Sequence, residues 1–172
     1  MNSIDNIILS ALLSLGITAV ANAEIKTGDI FPSLDSASVV GGKIPDLANR
    51  VALVDFWASW CAPCKESFPA YSQLNAEFTA RGLVVLAISV DQNQDAYRSF
   101  VKRMNPAFPT VCDKDQQFVR EVNIPVMPTC YLIGRDGRVR FVHHGFHGEA
   151  TEREIRRELD ALLAESSSPP LK

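Results

Sequence analysis

Two cysteines separated by two residues stand in the stretch Trp57-Ala58-Ser59-Trp60-Cys61-Ala62-Pro63-Cys64-Lys65-Glu66. Such a pair serves as half of a zinc site, as a structural staple, or as a dithiol that opens and closes. Zinc takes four ligands, usually from two such pairs. The other cysteines, Cys112 and Cys130, lie far apart and make no second pair. A staple over so short a gap removes little chain entropy. Redox chemistry needs a reactive thiolate, and position supplies one. A strand ends near Trp57 and a helix begins near Cys61, so Cys61 falls at a helix N-terminus. Unpaired N–H groups and the helix dipole favour a thiolate there. Cys64, one turn on and more buried, is placed to form a disulfide with it. Cys61 is then the attacking thiol and Cys64 the resolving one. Pro63 has no backbone N–H, which limits the donors around Cys61.

Other chemistry-bearing residues are weighed against ordinary roles. Asp55 is an acid inside an apolar strand. A buried carboxyl holds its proton to higher pH and can shuttle it, here from Cys64. His143, His144 and His147 form the cluster HHGFH. Strand alternation sends His143 and His144 to opposite faces, which argues against a shared metal; no metal site is assigned. Lys65 and Glu66 read as solvated. Trp57 reads as core, while Trp60 and Phe146 read as an apolar rim around Cys61. Cys112 and Cys130 read as two buried, unpaired thiols.

The elements that must position these groups follow from hydrophobic patterning. Residues 51–56 and 83–90 are near-continuous apolar runs, as in strands covered on both faces. Between them a helix over 62–81 carries Phe68, Tyr71, Leu74 and Phe78 on one face and stops at Gly82. A second helix over 94–104 presents Ala96, Phe100, Val101 and Met104. A short strand at 110–112 and a short helix at 116–122 follow. Residues 129–133 and 139–143 flank Asp136-Gly137 as a hairpin. The last helix carries a capping box, Thr151 with Glu154, and a stripe of Ile155, Leu159, Leu162 and Leu163. Residues 24–50 read as an extension with a small hairpin turning at Gly41-Gly42. Alternating units give parallel strands, and the terminal hairpin adds an antiparallel edge: an α/β mixed sheet with helices on both faces.

The segment VDFWASWCAPCKESFP resembles the active-site segment of the thioredoxin superfamily, matching at Asp55, Trp57, Trp60, Cys61, Pro63, Cys64 and Pro69. Met127-Pro128-Thr129 is similar to that family's cis-proline segment. The resemblance implies that Pro128 packs beside the cysteines and that the Met127 backbone pairs with an incoming peptide. It also places Gly145-Phe146 on the rim of the site. Trp60, Pro63, Met127, Pro128, Thr129 and Phe146 are therefore the implied substrate-binding residues. The family's cytosolic members often set a Lys opposite the buried acid; the corresponding position here is Ala87. The extension and the helix–strand unit inserted after Val90 look like the TlpA/ResA/DsbE-type exported oxidoreductases. That resemblance implies a thioredoxin fold with an N-terminal hairpin extension. It also implies reduction of protein disulfides outside the cytoplasm, in clients such as apocytochrome c or copper-site assembly proteins, with electrons from a membrane thiol carrier. No cofactor is implied, and a monomer is expected.

Composition bounds the rest. The chain has 172 residues, enough for one domain, and its net charge of −3 leaves no basic footprint for nucleic acid. Residues 7–20 are uncharged and end in Ala21-Asn22-Ala23, a small-x-small cleavage pattern. Residues 1–23 are expected to be a signal peptide, with a retained membrane anchor as the alternative. Residues 24–165 form the domain and 166–172 a flexible tail. The expected location is periplasmic. Two rival functions stay open on sequence: a disulfide-donating oxidase or isomerase, and a copper(I) metallochaperone using the same thiolates.

Overall fold

The computed structural model describes residues 23–34 and 39–165. The expected leader, apart from Ala23, and the expected tail lie outside these residues. Strand β1 (Val51–Trp57) is buried at every position. It is the middle of a five-stranded sheet, which explains why it lacks polar alternation. Helix α1 (Ala62–Phe78) and a 3₁₀ turn (Thr79–Arg81) lead to Gly82, whose φ of 107° ends the helix as a left-handed cap. Strand β2 (Leu83–Ser89), helix α2 (Gln94–Met104), strand β3 (Thr110–Cys112) and helix α3 (Gln117–Val122) follow. Strands β4 (Thr129–Ile133) and β5 (Val139–His144) then precede helix α4 (Glu149–Ala164). The sheet order is β3-β2-β1-β4-β5. The first three strands are parallel, and β4 and β5 each run antiparallel to their inner neighbour. This is the mixed sheet and the inserted α2–β3 unit that the sequence predicts.

Register decides which side chains meet. Asp55 pairs with Ala87 on β2 and with Cys130 on β4, and Cys130 pairs with His143 on β5. These four positions form one row on one sheet face. On that face Trp57 packs against Phe68 of α1 and Phe100 of α2, with ring centroids 4.9 and 4.4 Å apart. The other face carries Phe56 and Tyr131, and Phe31 of the extension covers Tyr131 at 5.5 Å.

Three details depart from expectation. The described part of the extension does not fold into a hairpin with itself. It bridges both sides of the sheet instead: Ile30 pairs with Arg138 and Val40 with Cys112. Gly41 and Gly42 are there for close approach, because a Cβ on Gly41 would enter the Tyr97 ring and one on Gly42 the Thr110 carbonyl. Second, α2 buries Tyr97 and Phe100, while Ala96, Val101 and Met104 are only partly covered. The Tyr97 hydroxyl donates to the Thr110 carbonyl at 3.0 Å, so a polar tip sits in the core with its partner satisfied. Third, α4 begins before the expected capping box. Gly148 is the N-cap, and Thr151 Oγ1 accepts from the His147 N–H at 3.0 Å.

Candidate active site

The loop between β1 and α1 is short and tied at several points. The Val90 N–H donates to the Trp57 carbonyl at 2.9 Å and the Cys61 N–H to the Ala58 carbonyl at 3.1 Å. Asp91, buried just beyond β2, accepts from the Ser59 N–H at 2.9 Å, the Ser59 hydroxyl at 2.9 Å and the Ser89 hydroxyl at 2.8 Å. One carboxyl therefore fixes the approach to Cys61. Sequence reading missed Asp91. Its only signal was an acid directly after a buried strand.

Cys61 is the N-cap of α1, and its Sγ accepts from the Cys64 N–H at 3.2 Å. A side-chain acceptor at this position satisfies an otherwise orphaned donor. Cys61 and Cys64 are joined by a disulfide of 1.98 Å, with Cα atoms 5.3 Å apart. Cys64 is fully enclosed, whereas Cys61 retains 5% exposure. The exposed sulfur is the one an external thiol or disulfide can reach. Pro63, exposed in the first helical turn, offers no N–H to it.

Asp55 is fully buried. Its Oδ1 accepts from the Tyr71 hydroxyl at 3.3 Å, while Oδ2 has no partner among the described residues. Burial pushes the carboxyl well above the ordinary carboxylate range, and the Tyr71 hydrogen bond only partly opposes this. Its β2 partner is the uncharged Ala87, and among the described residues no cationic group lowers its pKa.

The Met127–Pro128 peptide bond is cis. Two bonds hold this turn. The Gly145 N–H donates to the Pro128 carbonyl at 2.7 Å, and the Thr129 hydroxyl donates to the Val126 carbonyl at 2.6 Å. Pro128 and Thr129 are buried, and Met127 is half-buried. The Met127 N–H and C=O have no backbone partner among the described residues. Trp60 and Met127 line a common groove of about 500 Å³, with Asn93, Val119 and Ile124 among its other walls. Trp60 is 68% exposed and Val126 46%.

The expected apolar rim of Trp60 and Phe146 reduces to Trp60. Trp57 is core, and Phe146 is buried with its ring edge-on to Tyr71 at 6.0 Å. Phe146 folds inward because Gly145, at φ 79°, turns the chain back toward α1. The histidines diverge as alternation requires. His143 Nε2 bonds Glu158 at 2.6 Å on the Asp55 face, and His144 Nε2 meets Glu24 at 3.0 Å. Cys112 and Cys130 are both buried and unpaired, with β2 and β1 between them.

Comparison with known proteins agrees with this geometry. The sequence profile of the AhpC/TSA family matches residues 27–142. The chain belongs to the AhpC/TSA family. Within this thioredoxin-like family, the chain is similar to the thiol-disulfide oxidoreductase ResA of Geobacillus kaustophilus. The two are 25% identical over 163 residues, covering 91% of this chain and 92% of that protein. ResA of Bacillus cereus is 28% identical over 118 residues, covering 67% of this chain and 68% of that one. Among solved structures, a Chlorobium tepidum protein described as a thiol:disulfide interchange protein DsbE superposes with a TM-score of 0.75 at 31% identity. It covers 82% of this chain and 100% of its own. The thioredoxin fold and the thiol–disulfide oxidoreductase class expected from Cys61 and Cys64 thus both stand.

Proposed function

We propose that the protein reduces disulfides in client proteins outside the cytoplasm. The observation that carries this reading is the N-cap position of Cys61. Its thiolate is favoured by the helix terminus and by the Cys64 N–H, which donates to its sulfur. The intervening Ala62 and Pro63 are uncharged. Because neither residue between the cysteines stabilises the thiolate with charge, its disulfide is read as a weak oxidant. This favours a reductant over an oxidase or isomerase.

Cys61 thiolate attacks one sulfur of a client disulfide. A Cys61–client bond forms, the client S–S bond breaks, and the second client sulfur leaves as thiolate and takes a proton from water. Asp55 then accepts the Cys64 proton. The Cys64 thiolate attacks Cys61, the Cys61–Cys64 bond forms, and the first client sulfur leaves. Two electrons pass to the client, and a thiol donor returns the enzyme to its dithiol form. The unpaired Met127 backbone offers the client an extended docking edge, and Trp60 and Pro63 flank the attacking sulfur. Cis-Pro128 and Thr129 shape that edge from beneath, and Phe146 packs on Tyr71 in the core nearby.

Export through residues 1–23 would place the enzyme in the periplasm, as a monomer, where a membrane thiol carrier is the fitting donor. Apocytochrome c or a copper-site assembly protein is the fitting client. A redox titration of the Cys61–Cys64 pair against glutathione tests the direction. A midpoint below that of glutathione is expected. A strongly oxidising midpoint overturns the reading, and so does tight copper(I) binding without disulfide exchange.

A further inference from the structure

Asp55 takes a hydrogen bond whose role the steps above leave unused. The Tyr71 hydroxyl donates to Asp55 Oδ1 at 3.3 Å. Cys130, also buried, stands opposite Asp55 on β4.

We propose that Tyr71 is the positioning residue for Asp55. This rests on the reading of Asp55 as the acceptor of the Cys64 proton. Two geometric facts carry it. First, only one of the two Asp55 oxygens is bonded, so Tyr71 fixes the carboxyl's rotation and leaves Oδ2 open. Second, the usual charged counterpart is absent. Asp55 is faced by Tyr71 from α1, Cys130 from β4 and the non-ionisable Ala87 from β2. The next ionisable groups in the row are His143 on β5 and the Glu158 bonded to it on α4. Tyr71 is therefore the one neighbour that favours the charged carboxylate. A neutral donor does part of what a facing cation does, without adding a second buried charge. Burial keeps Cys130 protonated, so it adds no charge opposite the carboxyl.

The test is a carbon-13 titration of the Asp55 carboxyl in the oxidised protein, with Asp55→Asn used to assign the signal. Tyr71→Phe keeps the ring and its Phe146 contact but removes the donor. The Asp55 midpoint is expected to rise by about one pH unit or more. A midpoint unmoved in Tyr71→Phe overturns the proposal. The base role of Asp55 is read separately, from the pH profile of mixed-disulfide resolution. If Asp55→Asn leaves that profile intact, the base role fails. The carbon-13 midpoint still decides whether Tyr71 sets the carboxyl.

Discussion

Asp55 on β1 stands directly opposite Cys130 on β4, and its Oδ1 accepts from the hydroxyl of Tyr71 at 3.3 Å. A carboxyl, a thiol and a phenol thus share one enclosed space under the active-site helix. Each is held in its neutral form to higher pH than usual, chiefly because burial removes water from the charged form. The core below the disulfide is therefore a reservoir of protons rather than of charges.

Asp55→Asn should raise stability and lower turnover. Asp55 binds its proton more tightly folded than unfolded. Wild-type stability then falls as pH climbs from the ordinary carboxylate range through the raised folded value. The Asn variant lacks this fall, so its Tm should stay level over that window and exceed wild type at the upper end. Resolution of the mixed disulfide should slow about ten- to a hundred-fold, the low end for loss of a positioned base. Thermal melts across pH, paired with single-turnover kinetics, check both halves. A wild-type Tm that does not fall over the window would sink the stability half.

Asp91→Ala should loosen the approach to Cys61. Three donors, the Ser59 N–H and the hydroxyls of Ser59 and Ser89, lose their acceptor. The expected cost is about 2–4 kcal/mol, since partners left unpaired are costly in a buried setting. Urea denaturation measures it. Exchange protection of the Ser59 amide should fall in the same variant.

Trp60→Ala should separate protein clients from small disulfides. The ring is 68% exposed beside the attacking sulfur, so its loss leaves the core intact. KM for a protein disulfide should rise about ten-fold, as for loss of an aromatic anchor. Reduction of a small dialkyl disulfide should keep its rate. Equal effects on both substrates would assign Trp60 to the chemistry instead.

Cys112 and Cys130 should be silent in the native oxidised protein. Both are buried, and the Cys112 thiol is pushed up to about 11, chiefly by burial and then by the nearby Asp91 charge. Thiolate reagents should find no fast-reacting group at pH 8 and two after unfolding. A Cys112–Cys130 bridge in mass mapping would contradict the sheet order.

The parts legible in sequence were those written as patterns. β1 reads as a fully apolar run because both of its faces are covered, and β4 with β5 reads as a hairpin from Asp136-Gly137. The N-cap position of Cys61 follows from the strand–helix junction alone. What escaped was long-range polar satisfaction. Asp91 meets Ser59 across a whole βα unit, and Tyr71 meets Asp55 from the next helix. Tyr71 was placed on a buried face, but periodicity says nothing about where a hydroxyl points. Tyr97 escaped for a related reason. A hydroxyl-bearing ring scores as half-polar, yet its tip finds the Thr110 carbonyl. Gly41-Gly42 imitated a turn because close approach and sharp reversal ask for the same missing Cβ.

The extension that bridges both sides of the sheet has a consequence for traffic at the site. The Cys112 N–H and C=O on β3 are both taken by Val40, and the Val139 N–H and C=O on β5 by Asp29 and Gly28. Stray strands from an unfolded client therefore find those rungs occupied, and sheet-to-sheet sticking is discouraged at either margin. Under the proposed function, extended peptide is left a berth at the Met127 turn, whose backbone N–H and C=O have no backbone partner among the described residues. A reductase of unfolded clients would in this way be kept from becoming a nucleus for their aggregation.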